Sequence, residues 1–236
     1  MKKYLLIAAI LFIPIAAFGW GIGLIGGGDA APAGGCGAIS EVQIKYATSG
    51  AAEVTAVLGS TPTEGNLLTA VVYAVGIAIE NMSIAGFSLA VSTEYSSVPK
   101  DIGLWYKVAG AAESTSVVAT GTGSSNIEII VQEWAGVNAL DQIANSDNTG
   151  AVTEKTSGTT ASTSSNDELL LAAWGLGAVS GGSESYTNSF TVVRATTNAA
   201  LFVAKRIVSS TGAYESTFSW DTSRIAGGLI ATFDCE

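Results

Sequence analysis

An all-β chain, a two-sheet antiparallel jelly-roll sandwich preceded by an apolar N-terminal segment, is the fold class that this sequence predicts. Three observations predict it. Short apolar or alternating runs recur along the chain, bounded by clusters of Gly, Ser, Thr and Asn. Charged residues are only 13% of the 236, and the polar side is carried by small residues that suit sheets and tight turns better than helices. Beyond the N-terminus no window sustains a helical hydrophobic period.

The N-terminus is an address. Met1-Lys2-Lys3 is a basic start, and Tyr4 to Ile25 then carries no charge, the pattern of a secretory signal peptide or an uncleaved membrane anchor. Pro14 and the glycines at 19, 21 and 23 weaken a spanning helix and favour the signal peptide, while the length of the apolar run favours the anchor. Residues 26–37 are a Gly/Ala spacer. The expected organisation is therefore 1–37 as signal or anchor plus spacer and 38–236 as the sandwich, with the body extracellular, secreted or held at the cell surface. Contact with a membrane is expected only through the N-terminal segment, if it is uncleaved.

Strand by strand, Val42, Ile44 and Tyr46 alternate with polar neighbours as in a half-buried strand. Val54, Ala56 and Leu58 follow. The run Leu67-Leu68-Thr69-Ala70-Val71-Val72-Tyr73-Ala74-Val75, entered through the turn-rich residues 60–64, predicts a strand covered on both faces. A weak internal echo of it returns at Asp167-Glu168-Leu169-Leu170-Leu171-Ala172-Ala173-Trp174. Between them lie Phe87, Leu89 and Val91, then Leu104 to Val108, Val117 to Ala119, and the long segment Asn126 to Trp134. Thr153 to Ser165 is a Thr/Ser tract, read as a solvated edge strand or as a glycosylated linker. The chain closes with Phe190 to Val193, Ala200 to Ile207, Tyr214 to Trp220, whose aromatic residues share one face, and Ile225 to Phe233. About a dozen such segments is the count for a two-sheet jelly roll.

Several of these stretches carry a resemblance: Thr61-Pro62-Thr63-Glu64-Gly65-Asn66-Leu67-Leu68, Trp105-Tyr106-Lys107-Val108-Ala109-Gly110-Ala111, Glu133-Trp134-Ala135-Gly136-Val137, Asp167-Glu168-Leu169-Leu170 and Gly228-Leu229-Ile230-Ala231-Thr232-Phe233. Together, over residues 38–234, they resemble the jelly-roll domains, similar to concanavalin A-like and laminin-G-like sandwiches, of secreted bacterial surface proteins and phage structural proteins. The resemblance implies the fold and an extracellular setting. It brings no catalytic signature.

Chemistry is constrained by what the chain lacks. There is no histidine, and the formal net charge is −10, which excludes a Ser-His-Asp set and argues against nucleic acid and anionic lipid as partners. No Cys or Asp spacing suggests zinc or calcium, so no metal or cofactor is expected. Cys36 and Cys235 are the two cysteines; an even pair at the ends of a secreted sandwich suggests a disulfide, worth on the order of 5 kcal/mol if unstrained. A faint lipobox before Cys36 is the competing reading. A glycoside hydrolase of this architecture needs two carboxylates on one face. Glu128 and Glu133 stand five positions apart, which places them on opposite faces of a strand unless a bulge intervenes, so an enzyme is not expected, and a polysaccharide-cleaving one is the last of the alternatives.

Binding residues are easier to nominate. With Ile127, Ile129 and Val131 turned to the core, the other face of the same strand presents Glu128, Gln132 and Trp134, an aromatic platform beside polar groups that suits a sugar. Trp105 with Lys107 is expected on a similar outer face. The opposing reading makes Trp105, Trp134, Trp174 and Trp220 core aromatics. The expected function is a non-catalytic extracellular module for surface attachment or glycan binding, its partners being glycans or cell-surface polymers. The alternative is a self-associating structural subunit of a virion or surface filament.

Overall fold

The computed structural model describes residues 37–95, 100–123, 126–147, 150–178, 183–193 and 200–236. All belong to one compact unit. Of the segment 1–37 expected as signal or anchor plus spacer, residues 1–36, Cys36 among them, lie outside the described residues. No helix among the described residues is long and apolar enough to cross a membrane.

The first half of the body contains β1 (Ser40–Ser49), β2 (Glu53–Val57), β3 (Leu67–Val75), β4 (Met82–Ile84), β5 (Ser88–Glu94), β6 (Lys100–Val108), β7 (Ser116–Gly121) and β8 (Asn126–Ala135). The second half contains β9 (Ala139–Ser146), β10 (Val152–Thr156), β11 (Asp167–Leu176), β12 (Ser185–Tyr186), β13 (Thr191–Val192), β14 (Leu201–Ser209), β15 (Thr217–Arg224) and β16 (Ala226–Asp234). A single 3-10 turn, Ile79–Asn81, is the helical element among the described residues.

These strands form four antiparallel sheets, where two were expected. In the first half, β1-β8-β3-β6-β5 make a five-stranded sheet and β2-β7-β4 a three-stranded one. In the second half the orders are β9-β16-β11-β14-β13 and β10-β15-β12. No strand crosses between halves, and the two orders correspond strand for strand. The chain is thus two sequence-contiguous modules with one topology. In each, the first strand pairs with the last, the second with the seventh and the third with the sixth, a winding compatible with a jelly roll.

The registers repeat as well. Leu67 of β3 faces Trp134 of β8, and Leu169 of β11 faces Phe233 of β16. Both first strands break register near the same place, β1 between Glu41 and Gln43 and β9 opposite the step from Ala231 to Phe233. The echo in the sequence lies on β3 and β11, the equivalent central strands of the two modules.

The sheets stack in four layers, three-, five-, five- and three-stranded, with an apolar cluster in each gap. Leu68, Ala70 and Val72 of β3 face the outer sheet of module 1, against Val54, Ala56, Val117 and Ala119. Leu67, Val71 and Tyr73 face the other way, onto Leu169, Leu171 and Ala173 of module 2. Leu170, Ala172 and Trp174 in turn face the outer sheet of module 2, against Phe218 and Trp220. The near-continuous apolar runs of β3 and β11 follow directly: both faces of each strand are covered, so alternation has no polar side to show.

The Thr/Ser tract is an edge strand only at its start, as β10. Beyond it, Ser157, Thr160 and Thr163 are buried and clamp the segment before β15. Each donates its backbone N–H to a carbonyl, of Ser216, Tyr214 and Gly212 respectively, at 2.8–3.0 Å. Each hydroxyl then accepts the N–H of the same partner, at 3.1, 2.9 and 3.3 Å. Spaced three apart, these hydroxyls replace a regular ladder where the chain is too irregular for one, which leaves those three side chains no part in a glycosylated linker.

Candidate functional site

Alternation along β8 is as expected, with Ile127, Ile129 and Val131 on one face and Glu128, Ile130, Gln132 and Trp134 on the other. What differs is that the second face is also interior, because the inner sheet of module 2 covers it. Trp134 is fully buried; its indole N–H points to Thr69 Oγ1 at 3.3 Å and the Lys205 ammonium of module 2 lies 5.0 Å from the ring centroid. Gln132 is buried too, its amide donating to Glu41 at 3.1 Å while its Oε1 has no hydrogen-bond partner. The aromatic platform expected in solvent is therefore a core contact between modules.

Trp105 and Lys107 do share a face, but the outer sheet and its loops cover it. Trp105 is 3% exposed within the cluster between the sheets of module 1, and Gly103 lies under its ring, where a Cβ would stand 2.7 Å away. Lys107 pairs with Glu113 at 2.7 Å and lies 5.6 Å from the Phe87 ring. Trp174 and Trp220 are likewise core residues.

Glu133 projects to the face opposite Glu128 and is spent on structure. One oxygen accepts the Thr63 N–H at 2.8 Å and the Asn66 amide at 2.6 Å; the other accepts the Gln43 amide at 2.5 Å. It thereby pins the loop before β3 onto β8 and β1. Module 2 does the same with the acid moved one strand over: Glu168, at the position equivalent to Asn66, accepts the Ser165 N–H at 3.0 Å. Burial raises the Glu168 carboxyl above its usual range.

Of the five nominated binding residues, Glu128 reaches a cavity. A cleft of about 400 Å³ opens between the inner sheets, lined by Thr48, Tyr73, Lys100, Asn126 and Glu128 of module 1 and by Gly177, Ala178 and Ala200 of module 2. Glu128 accepts the Ala200 N–H at 3.1 Å and the Tyr46 hydroxyl at 3.4 Å. Lys100 donates to the Gly177 carbonyl at 2.6 Å. Burial, reinforced by the negative charge of Glu128, pushes the Tyr73 hydroxyl up to about 12, so it remains a proton donor at neutral pH. The cleft is thus lined by a carboxylate, a phenol, an ammonium, an amide and a hydroxyl, with Glu128 and Lys100 each also holding a backbone group of module 2. Thr48, Tyr73, Lys100 and Asn126 were not nominated from sequence. Asn126 stands two positions before Glu128 on the same face of β8, so alternation could have found it; Thr48, Tyr73 and Lys100 lie on three other strands, and no local pattern ties them to Glu128.

Among the described residues no group of three or more Cys, Asp or Glu side chains is placed to hold a metal ion. No protein-family model, curated protein or solved structure matches this chain.

Proposed function

We propose that this protein is a non-catalytic extracellular module that attaches to glycans, holding a sugar in the cleft between its two inner sheets. The observation that carries this reading is the convergence of Thr48, Tyr73, Lys100, Asn126 and Glu128 on one cleft of about 400 Å³. Cavities of this size, at a boundary between modules and with a few converging polar groups, are where small ligands bind. The carboxylate, amide and hydroxyls match the hydroxyl groups of a sugar. Glu128 and Glu133 sit on opposite faces of β8, which supports binding without hydrolysis. The jelly-roll-compatible winding of each module supports the likeness to concanavalin A-like and laminin-G-like sandwiches, and the apolar N-terminal sequence supports secretion or surface anchoring.

The test is a glycan array followed by NMR titration of the best ligand. Glu128→Gln and Asn126→Ala are expected to weaken binding at least tenfold in chains that still melt cooperatively, with Glu128→Gln also lowering the melting temperature through its bonds to Ala200 and Tyr46, and no polysaccharide is expected to be cleaved. Binding that survives both substitutions, or no binding across the array, refutes the cleft. A second reading, a structural subunit of a virion or surface filament, draws on the burial of every large aromatic nominated for binding; electron microscopy of natural material would reveal it as a regular assembly.

A further inference from the structure

The inner sheets of the two modules fit by packing over most of their contact. Leu67, Val71 and Trp134 on one side and Leu169, Val203 and Phe233 on the other belong to one buried cluster. Tyr73 sits on Gly175, where a Cβ would stand 3.1 Å from Tyr73 Cδ2. Beside this apolar centre, three side chains from three strands meet on one atom. Glu41 Oε2 of β1 accepts the Lys205 ammonium of β14 at 3.1 Å and the Gln132 amide of β8 at 3.1 Å. The amine and the amide nitrogen, one from each module, therefore stand no further apart than twice that length.

An ion pair alone does not account for the third member. Gln132 is fully buried, and its Oε1 has no hydrogen-bond partner among the described residues, a costly state for an interior carbonyl. Turning the amide over about its last torsion would bring Oε1 to the Glu41 carboxyl instead. Trp134, two positions on and on the same face of β8, is also fully buried, and its ring centroid lies 5.0 Å from the Lys205 ammonium, which holds the amine beside Gln132. An amine, an amide carbon and a carboxyl between them are the parts of an acyl transfer, and the fold holds all three together in one chain.

We propose that Lys205 and Gln132 join through an amide bond, formed by this chain on itself with Glu41 as the proton relay, so that β8 of one module and β14 of the other become covalently linked. Glu41 takes a proton from the ammonium and passes it to Gln132 Oε1 as the freed lone pair on Nζ forms a bond to Cδ. It then takes a second proton from Nζ and gives it to Nε2. The Cδ–Nε2 bond breaks, ammonia leaves, and the proton on Oε1 returns through Glu41 to water. No oxidant, metal or second substrate is consumed. The burial of Gln132 and Trp134 keeps water from competing for Cδ. Such a link would hold the inner sheets together under heat or pulling, and it is independent of the glycan reading.

Intact mass of the folded, full-length chain, taken after reduction of any disulfide, is the test. The expected result is a mass short by one ammonia, and after proteolysis one branched peptide in which an amide joins positions 132 and 205. Lys205→Arg keeps the charge beside Glu41 but should show full mass and no branched peptide. Glu41→Gln should form the link about 100-fold more slowly or worse, the scale of removing one acid–base group. Wild-type chain at full mass with positions 132 and 205 in separate peptides overturns the proposal, as does ammonia lost from any other residue instead. A link that forms in Glu41→Gln at the wild-type rate overturns the relay.

Discussion

Replacing Gly227 by alanine pits two effects of opposite sign against each other. Gly227 lies on β16, buried against Tyr95 and Thr93 of module 1, and its φ is not in the left-handed region, so alanine fits the backbone. In the unfolded chain the added methyl restricts conformations and should stabilise the fold by about 0.4–1 kcal/mol. In the folded chain the same methyl falls on the Tyr95 ring and within 2.9 Å of Thr93 Cγ2, where ordinary contact needs roughly 3.5–4 Å. Tyr95 is 1% exposed and its ring cannot bend aside, so the inner sheets must part. Overpacking of this kind costs about 1–3 kcal/mol, and the net expectation is a loss of about 1–2 kcal/mol. Urea denaturation should show a lower midpoint at unchanged slope. In a Tyr95→Leu background the methyl has room, so the penalty should shrink by about 1 kcal/mol or more, the coupling expected of residues in contact. A Gly227→Ala chain as stable as wild type, or a penalty undiminished beside Leu at 95, would refute the packing of Tyr95 on Gly227.

Trp134→Ala should cost about 3–5 kcal/mol, the range for deleting a buried aromatic, and calorimetry checks it; a change under about 1 kcal/mol would mean the ring is not interior. Asp101 is buried, with Oδ2 accepting the Ile79 N–H at 2.9 Å and Oδ1 without a partner, and burial raises its carboxyl to about 6. A folded value above the unfolded one means that ionisation opposes folding, so this group's contribution falls as pH rises from about 4 to 6 and stays lost above it. Asp101→Asn should therefore gain about 1–2 kcal/mol at pH 7.5, after allowance for screening, and almost nothing at pH 4; equal effects at both values would contradict it. For the cysteines, Gly37, next in sequence to Cys36, lines one cavity with Cys235, so intact mass under oxidising conditions should show the loss of two hydrogens for a Cys36–Cys235 bridge. Two free thiols or a lipid adduct on Cys36 would exclude it.

Much of this protein is determined by sequence acting over short range. Strand positions follow from apolar runs and turn residues, since each is set by a segment's own pattern. The both-faces burial of Leu67 to Val75 was legible in its lack of alternation, and the opposite facing of Glu128 and Glu133 in their odd spacing. Even the repeated topology left a trace, in the Leu-Leu-x-Ala echo of β3 and β11.

What covers each face was decided by tertiary structure alone. The alternation that put Glu128, Gln132 and Trp134 together was correct, but a period of two separates faces without saying which is wet. A second module supplied the cover, so Trp134 became core and Glu128 was left at a cleft between modules. The Thr/Ser tract shows the same limit: its hydroxyls look solvated until Tyr214 and Ser216 arrive from more than fifty residues away to use them. Nor does the sequence pair Tyr73 with Gly175, because a bulky residue and an absent side chain carry no common pattern. Their complementarity exists only once two sheets, each folded on its own local rules, are laid against one another and must fill a single space.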